Sequence, residues 1–245
     1  MTTAIGIDIG GSGIKGAVVD LDDGAFIGDR HRIPTPHPAT PEAVAEVVAE
    51  VVTALKADGP VGCTLPAVVR NGVAASAANI DDTWIGADAE QVIGQATGRR
   101  TTVLNDADAA GVAEQRFGAA QDRDGVVIVL TLGTGIGSAI LIDGRLLPNT
   151  ELGHLEIDGH DAESRAAASV RESHDLSWHK WAKRLDRYLH HVEDLFSPDL
   201  FVLGGGVSKK HDRFVPLLTV DTAVVPATLR NRAGIVGAAL RADEA

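Results

Sequence analysis

Ile5-Gly-Ile-Asp-Ile-Gly-Gly-Ser-Gly-Ile-Lys-Gly16 is where the fold first shows itself. Ile5 to Ile9 reads as a short buried strand, Gly10 to Gly13 as a turn, and Ile14 to Val19 as a returning strand rich in β-formers. Gly11-x-Gly13-x-x-Gly16 formally satisfies the dinucleotide fingerprint, but that site needs the glycine turn to open a helix whose N-terminus holds the pyrophosphate. A strand follows instead, so NAD binding is rejected. The Walker A pattern fails too, because Lys15 lies between Ile14 and Gly16 rather than in Gly-Lys-Ser/Thr. What is left is a glycine hairpin whose backbone amides can face an anion. Asp22-Asp-Gly24 then turns the chain into a third strand.

The pattern returns downstream. Val126 to Leu130 reads as a strand, Thr131-Leu-Gly-Thr-Gly-Ile-Gly137 as a glycine-rich turn, Ser138 to Ile142 as a strand and Asp143-Gly144 as a turn. Set against Asp8-Ile-Gly-Gly, this predicts a duplication and two similar lobes. Two such hairpins pointing at one cleft would surround an oligophosphate from both sides.

The elements around these hairpins are read from caps and periodicity. Thr40 is the N-cap and Pro41 the first residue of a helix with Val44, Val47, Val48, Val51, Val52 and Leu55 along one face, ended by Gly59-Pro60. Val61 to Leu65 is a strand, Asn71-Gly72 a turn, Ala75 to Asn79 a loop of small residues, and Asp88 caps a helix reaching Gln95. Thr101 to Leu104 is a strand that delivers Asn105-Asp106 at its carboxyl end, where ligands of α/β folds collect; a helix follows from Ala107 to Phe117, closed by Gly118. Leu176 to Phe196 is a long helix with Trp181, Leu185, Tyr188, Leu189, Val192 and Leu195 as its buried stripe. Asp199 to Leu203 is a strand ending in Gly204-Gly-Gly206, and Ser208 caps a helix carrying Lys209 and Lys210. Arg230 to Leu240 is the closing helix, with Gly234 and Gly237 permitting tight packing.

Composition narrows the function classes. The 245 residues are 44% apolar and 23% charged, which supports a packed core rather than disorder. The formal charge of −12 repels nucleic-acid backbones and anionic membranes, so any polyanion must meet a local basic patch. Cys63 is the sole cysteine, which excludes an internal disulfide or a cysteine-based zinc cluster and suits a reducing cytosol. No basic n-region and no run of 18 apolar residues argues for secretion or a membrane span.

Five segments together resemble the ROK (repressor, open reading frame, kinase) sugar-kinase family nearly end to end. They are Asp8-Ile-Gly-Gly-Ser-Gly-Ile-Lys-Gly16, Leu104-Asn-Asp-Ala-Asp-Ala-Ala-Gly111, Thr131-Leu-Gly-Thr-Gly-Ile-Gly137, Glu151-Leu-Gly-His154 and Leu203-Gly-Gly-Gly-Val-Ser-Lys-Lys210. The resemblance implies an α/β protein with the actin-like ATPase, ribonuclease H-like fold, two lobes with a cleft between them. The smaller N-terminal lobe would take residues 1–104 plus the returning C-terminal helix at 232–245, and the larger lobe residues 105–231. It also implies a cytoplasmic homodimer, Mg²⁺, and phosphoryl transfer to the 6-hydroxyl of glucose from inorganic polyphosphate. An ATP-dependent hexose kinase is the alternative within the family. A non-catalytic sugar-sensing regulator, a different class that the family also contains, is disfavoured because such proteins carry an N-terminal helix-turn-helix whereas the first strand here begins at Ile5, and because the acidic balance disfavours DNA. Many members have a cysteine-rich zinc loop after Glu-x-Gly-His. Asp161 to Glu172 has no cysteine, which predicts no zinc site and resembles the polyphosphate-dependent members.

The chemistry then falls on particular residues. Asp106, at a strand end and a helix start, is the candidate base for the sugar hydroxyl; its bland alternative, shared with Asp108, is helix capping. The resemblance assigns Asn79, Asn105, Asp106, Glu151 and His154 to sugar hydroxyls, which both donate and accept, with Glu172 as the acid that follows the missing zinc loop. Glu151, His154, Glu156 and His160 also suggest a metal set, with nothing in the sequence to fix its geometry. Asp8 is the expected Mg²⁺ ligand, directly or through water. Gly10, Gly11, Ser12, Gly13 and Lys15 are expected on phosphate, as are Thr131, Gly133, Thr134, Gly135 and Gly137, with glycine needed for close approach and positive φ. Gly204, Gly205 and Gly206 join them by resemblance. A polymer donor also needs cations outside the reaction centre, for which Lys180, Lys183, Arg184, Lys209, Lys210, Arg230 and Arg232 are available. Lys209 and Lys210, beside the glycine turn, are favoured, and Lys180 to Arg187 is read as a solvated face.

Overall fold

A computed structural model of the chain describes residues 2–244. The chain divides into two compact units, Met1–Ala113 with Arg232–Ala245, and Glu114–Asn231.

The first unit is built on a five-stranded sheet. Strands β1 (Thr3–Gly10), β2 (Gly13–Asp20), β3 (Phe26–Ile33), β4 (Val61–Leu65) and β7 (Thr101–Asn105) lie in the order β3-β2-β1-β4-β7. β1 and β2 form the antiparallel glycine hairpin, with Gly10 opposite Gly13, while β1, β4 and β7 run parallel. A small ribbon, β5 (Val69–Arg70) with β6 (Val73–Ala74), closes on the Asn71-Gly72 turn. Helix α1 (Pro41–Leu55) starts on the Thr40 hydroxyl, which accepts the Ala43 N–H, and buries Val44, Val48, Val51 and Val52. It ends earlier than the Gly59-Pro60 signal suggests: Lys56 takes the left-handed conformation and its N–H returns to the Thr53 carbonyl, so a local turn stops the helix first. Helix α2 (Ala89–Thr97) is capped by Asp88 and stopped by Gly98 in the left-handed region.

Helix α7 (Ala233–Glu244) returns from the far end of the chain to cover β1 and β4. The approach is backbone to backbone. A Cβ on Gly6 would lie 1.9 Å from the Ile235 carbonyl oxygen, one on Gly62 1.8 Å from that of Ala238, and one on Gly237 1.9 Å from that of Ala109. The closing helix begins at Ala233, three residues later than its sequence pattern suggests, because Arg230–Arg232 forms a 3₁₀ turn.

The second unit repeats the plan. Strands β8 (Val126–Leu132), β9 (Ile136–Ile142), β10 (Arg145–Leu147), β13 (Leu200–Gly204) and β14 (Ala223–Pro226) lie in the order β10-β9-β8-β13-β14. Again the first pair is an antiparallel glycine hairpin, and β8, β13 and β14 run parallel. A ribbon of β11 (Glu156–Ile157) and β12 (His160–Asp161) leads into the short helices α4 (Glu163–Ala166) and α5 (Ala168–Ser173).

Helix α6 (Trp178–Phe196) is capped by Ser177, two residues inside the segment read from sequence. It buries Trp181, Leu185, Tyr188, Leu189 and Val192, but Leu195, counted in the stripe, is 56% exposed. Leu195 is the penultimate residue of the helix, in a last turn that has run past the core. Buried Glu114, in helix α3 (Asp106–Phe117), accepts the N–H groups of Ala119, Thr228 and Leu229 and so ties distant loops of this unit together.

Candidate phosphoryl-transfer site

In the first unit, the parallel strands bring their carboxyl ends side by side. Asp8 pairs in register with Thr64 on β4, and Leu65 with Asn105 on β7. The Thr64 hydroxyl donates to Asp8 Oδ1 at 3.2 Å, and Lys15 Nζ donates to Asp8 Oδ2 at 2.9 Å. Asp8 and Lys15, both expected at phosphate, are therefore partners of one another. Lys15 also lies opposite Arg32 in the β2–β3 register, and Arg32 donates to the Ser12 carbonyl at 2.9 Å. A Cβ on Gly13 would lie 2.7 Å from that guanidinium, so the side chain of Arg32 lies across the hairpin. Arg32 sits on an exposed strand with no motif around it, so sequence reasoning passed it over.

Asn79 is exposed, at φ 60°, and its backbone packs on the same hairpin: a Cβ on Gly11 would meet its carbonyl oxygen at 3.1 Å. Asn105 is buried. Its Oδ1 accepts the N–H groups of Ala107 (2.8 Å) and Asp108 (3.1 Å), and its Nδ2 donates to the Ala67 carbonyl. Asn105 is thus the cap of α3. Asp106, the first residue of α3, is exposed, and its Oδ1 accepts the Ala107 N–H at 2.9 Å.

In the second unit, the hairpin from Thr131 to Gly137 is braced from outside. The Gly133 N–H donates to the Gly135 carbonyl, the Gly133 carbonyl accepts from Ser169, and the Ser169 hydroxyl donates to the Thr134 carbonyl. Glu163 Oε2 accepts the Ile136 N–H at 2.9 Å, and a Cβ on Gly135 would come within 2.3 Å of that oxygen. The β13 register sets Gly204 beside Thr131, and Gly205, at φ 80°, passes so near Leu132 that a Cβ would lie 2.2 Å from its carbonyl oxygen. Positive φ, expected throughout the two hairpins, is confined among the motif glycines to Gly205; Gly11 instead lies close to the Asn79 backbone, while Gly13 and Gly135 face the side-chain ends of Arg32 and Glu163. Lys209 and Lys210 are exposed on a 3₁₀ segment, Gly206–Arg213, not a capped α-helix. Ser208 does not cap it: the side chain is buried and donates back to the Gly205 carbonyl.

Glu151 precedes the short turn Leu152–His154, which His154 ends. His154 Nδ1 donates to Asp161 Oδ2 at 2.9 Å, which leaves Nε2 toward Glu151 at 4.0 Å. The hydrogen bond to Asp161 raises the His154 pKa most, with Glu163, Asp161 and Glu151 adding to it against partial desolvation. Burial pushes the Glu151 carboxyl up, opposed by His154 and reinforced by Glu163. The acids acting here are Glu163 and Asp161, whereas Glu172, expected in this role, lies exposed on α5. Glycine spacing and cysteine count carried no signal for Glu163, since only the packing of α4 on the hairpin brings it in. His154, Asp161 and Glu163 present ligand atoms within 4.8 Å of one another, without Glu151, Glu156 or His160 of the suggested metal set.

Each unit therefore offers a glycine hairpin beside a carboxylate, Asp8 with the cations Lys15 and Arg32 in the first and Glu163 in the second. That arrangement can hold a phosphate chain and a polyol and can accept a proton. The description ROK family matches residues 4–168. The chain is 56% identical over 236 residues to a polyphosphate glucokinase of Mycobacterium tuberculosis, covering 96% of this chain and 89% of that one. The crystal structure of an inorganic polyphosphate/ATP-glucomannokinase from Arthrobacter sp. strain KM matches with a TM-score of 0.96 at 54% identity, over 100% of this chain and 99% of that one. A ROK family glucokinase from Streptomyces griseus, in complex with glucose and AMPPNP, matches with a TM-score of 0.86 at 25% identity over 100% of both chains. The α/β fold is the actin-like ATPase fold of these sugar kinases.

Proposed function

The chain belongs to the ROK family, and from that premise we propose that it transfers a phosphoryl group from inorganic polyphosphate to the 6-hydroxyl of glucose, giving glucose 6-phosphate. The observation that carries this reading is identity at more than half of the positions, along 96% of the chain, to a polyphosphate glucokinase. ATP is the second donor, favoured by the two donors named for the Arthrobacter enzyme.

Asp106 takes the proton of the 6-hydroxyl as its oxygen bonds to the terminal phosphorus. The bond from that phosphorus to the bridging oxygen breaks, and the polymer leaves one phosphate shorter. The exposure of Asp106 and the capping of α3 by Asn105 support this role, since the helix start has a cap besides Asp106. Asn79, Asn105, Glu151 and His154 hold the sugar hydroxyls, joined by Glu163 in the place first given to Glu172, because Glu163 acts on both Glu151 and His154. The two hairpins, Lys15, Arg32, Gly204–Gly206, Lys209 and Lys210 hold phosphate oxygens.

Mg²⁺ would sit at Asp8. One carboxylate oxygen there, Oδ2, is held only by a flexible lysine, which fits a cation that binds through one or two carboxylates and takes its remaining ligands from water and phosphate. When bound it neutralises charge on the phosphate oxygens. The working form under this reading is a cytoplasmic homodimer, an assignment that rests on the family resemblance alone.

The test is glucose 6-phosphate formation with Mg²⁺ and glucose, comparing ATP-free polyphosphate with polyphosphate-free ATP. Turnover with polyphosphate is expected, and product from neither donor would overturn the reading. Asp106→Asn should keep glucose binding and lose about 10²–10⁴-fold in turnover. In the same assay Glu163→Gln should raise the KM for glucose about tenfold or more, with Glu172→Gln near the parent value.

A further inference from the structure

Lys183, Arg184 and Arg187 of α6 were read from sequence as a solvated face, but the structure gives them a common cavity. It measures about 370 Å³ and lies between α6, the β11–β12 ribbon and α4. Arg165 of α4 and His160 of β12 also line it, against a single carboxylate, Asp158. Asp158 holds Arg187 through two bonds, at 3.0 and 3.3 Å, and Arg165 donates to His160 Nε2. Lys183 and Arg184 have no acidic partner among the described residues. In a chain of net charge −12, such a concentration of cations around one hollow calls for an anion.

Tyr188 also lines the cavity and is 1% exposed. Its hydroxyl is buried away from the hollow, without a hydrogen-bond partner among the described residues.

We propose that this cavity is a second anion site, which grips a stretch of polyphosphate beyond the phosphoryl group being transferred. Lys183, Arg184 and Arg165 meet the phosphate oxygens. The inference rests on polyphosphate being the donor. It also gives a polymer an advantage that a nucleoside triphosphate lacks: two linked contacts raise affinity through effective concentration.

The experiment is the affinity of end-labelled long-chain polyphosphate for the glucose-free protein, read by fluorescence anisotropy. Lys183→Ala with Arg184→Ala is compared with Arg70→Ala with Arg123→Ala, an exposed pair elsewhere that removes the same charge. The cavity pair should weaken polymer binding about tenfold or more while the control pair stays near the parent, with the KM for ATP and for glucose unchanged in both. Equal polymer affinity in the cavity and control pairs would overturn the site. Because binding is read without turnover, a parent protein that consumes ATP alone overturns the donor assignment by a separate result.

Discussion

At the residue scale, His154 shows how a neighbour sets the chemistry of a group. With Nδ1–H donating to Asp161, the neutral ring presents Nε2 as an acceptor, and the protonated ring presents it as a donor. Asp161 therefore decides both the tautomer and the pH at which the change occurs. The His154 pKa is raised by this bond, so stability from the pair is fully present below the ordinary histidine value of about 6.5 and is lost as pH rises through the higher folded value. Asp161→Asn should bring the His154 pKa down, which an NMR titration of the ring would read; an unmoved value would mean that the carboxylate does not hold the ring. Asn105 and Glu163 teach the complementary lesson. Each is a polar side chain whose oxygen accepts backbone N–H groups, and so gives a loop its shape.

At the element scale, the decisive contact is that of α7 on the first sheet. Gly6 and Gly62 on neighbouring strands receive the carbonyls of Ile235 and Ala238, and no Cβ fits at either place. The helix thereby seals the sheet a few residues from Asp8, whose Oδ1 would lie 3.3 Å from a Cβ on Gly234. Gly62→Ala should cost about 3 kcal/mol, the upper end of overpacking, because the clash is with backbone and not with a movable side chain. That corresponds to a fall of about 6–12 °C in the thermal midpoint by calorimetry; a fall under a degree would show that α7 can shift freely on the sheet. These contacts were partly legible. Gly234 and Gly237 announced tight packing, but nothing in the sequence said which strand residues would receive the helix, since the partners lie over 170 positions away.

At the scale of the whole molecule, a protein of charge −12 must bind a polyanion through local cations, against its own field. Raised ionic strength screens those contacts, so the KM for polyphosphate should climb between 50 and about 300 mM salt while the KM for glucose, a neutral ligand, stays level. A parallel rise for both substrates would point to a general loss of structure. The duplicated hairpins, the caps at Thr40 and Asp88 and the base candidate at a strand end were all legible, because turns, caps and strand ends depend on residues within a few positions of one another. The end of α1 at Lys56 and the 3₁₀ segment after Gly206 were not, since each reflects how a single turn settles on its neighbours. By itself the sequence determined the repeated strand and glycine-turn plan, the family resemblance and most of the chemical groups, all carried by local pattern and residue type. Only the tertiary structure decided that Glu163 comes near enough to act on Glu151 and His154, that Arg32 donates to the first hairpin at Ser12, and that the cations of α6 surround a cavity. Those choices depend on which distant segments pack together, and packing is a property of the folded chain.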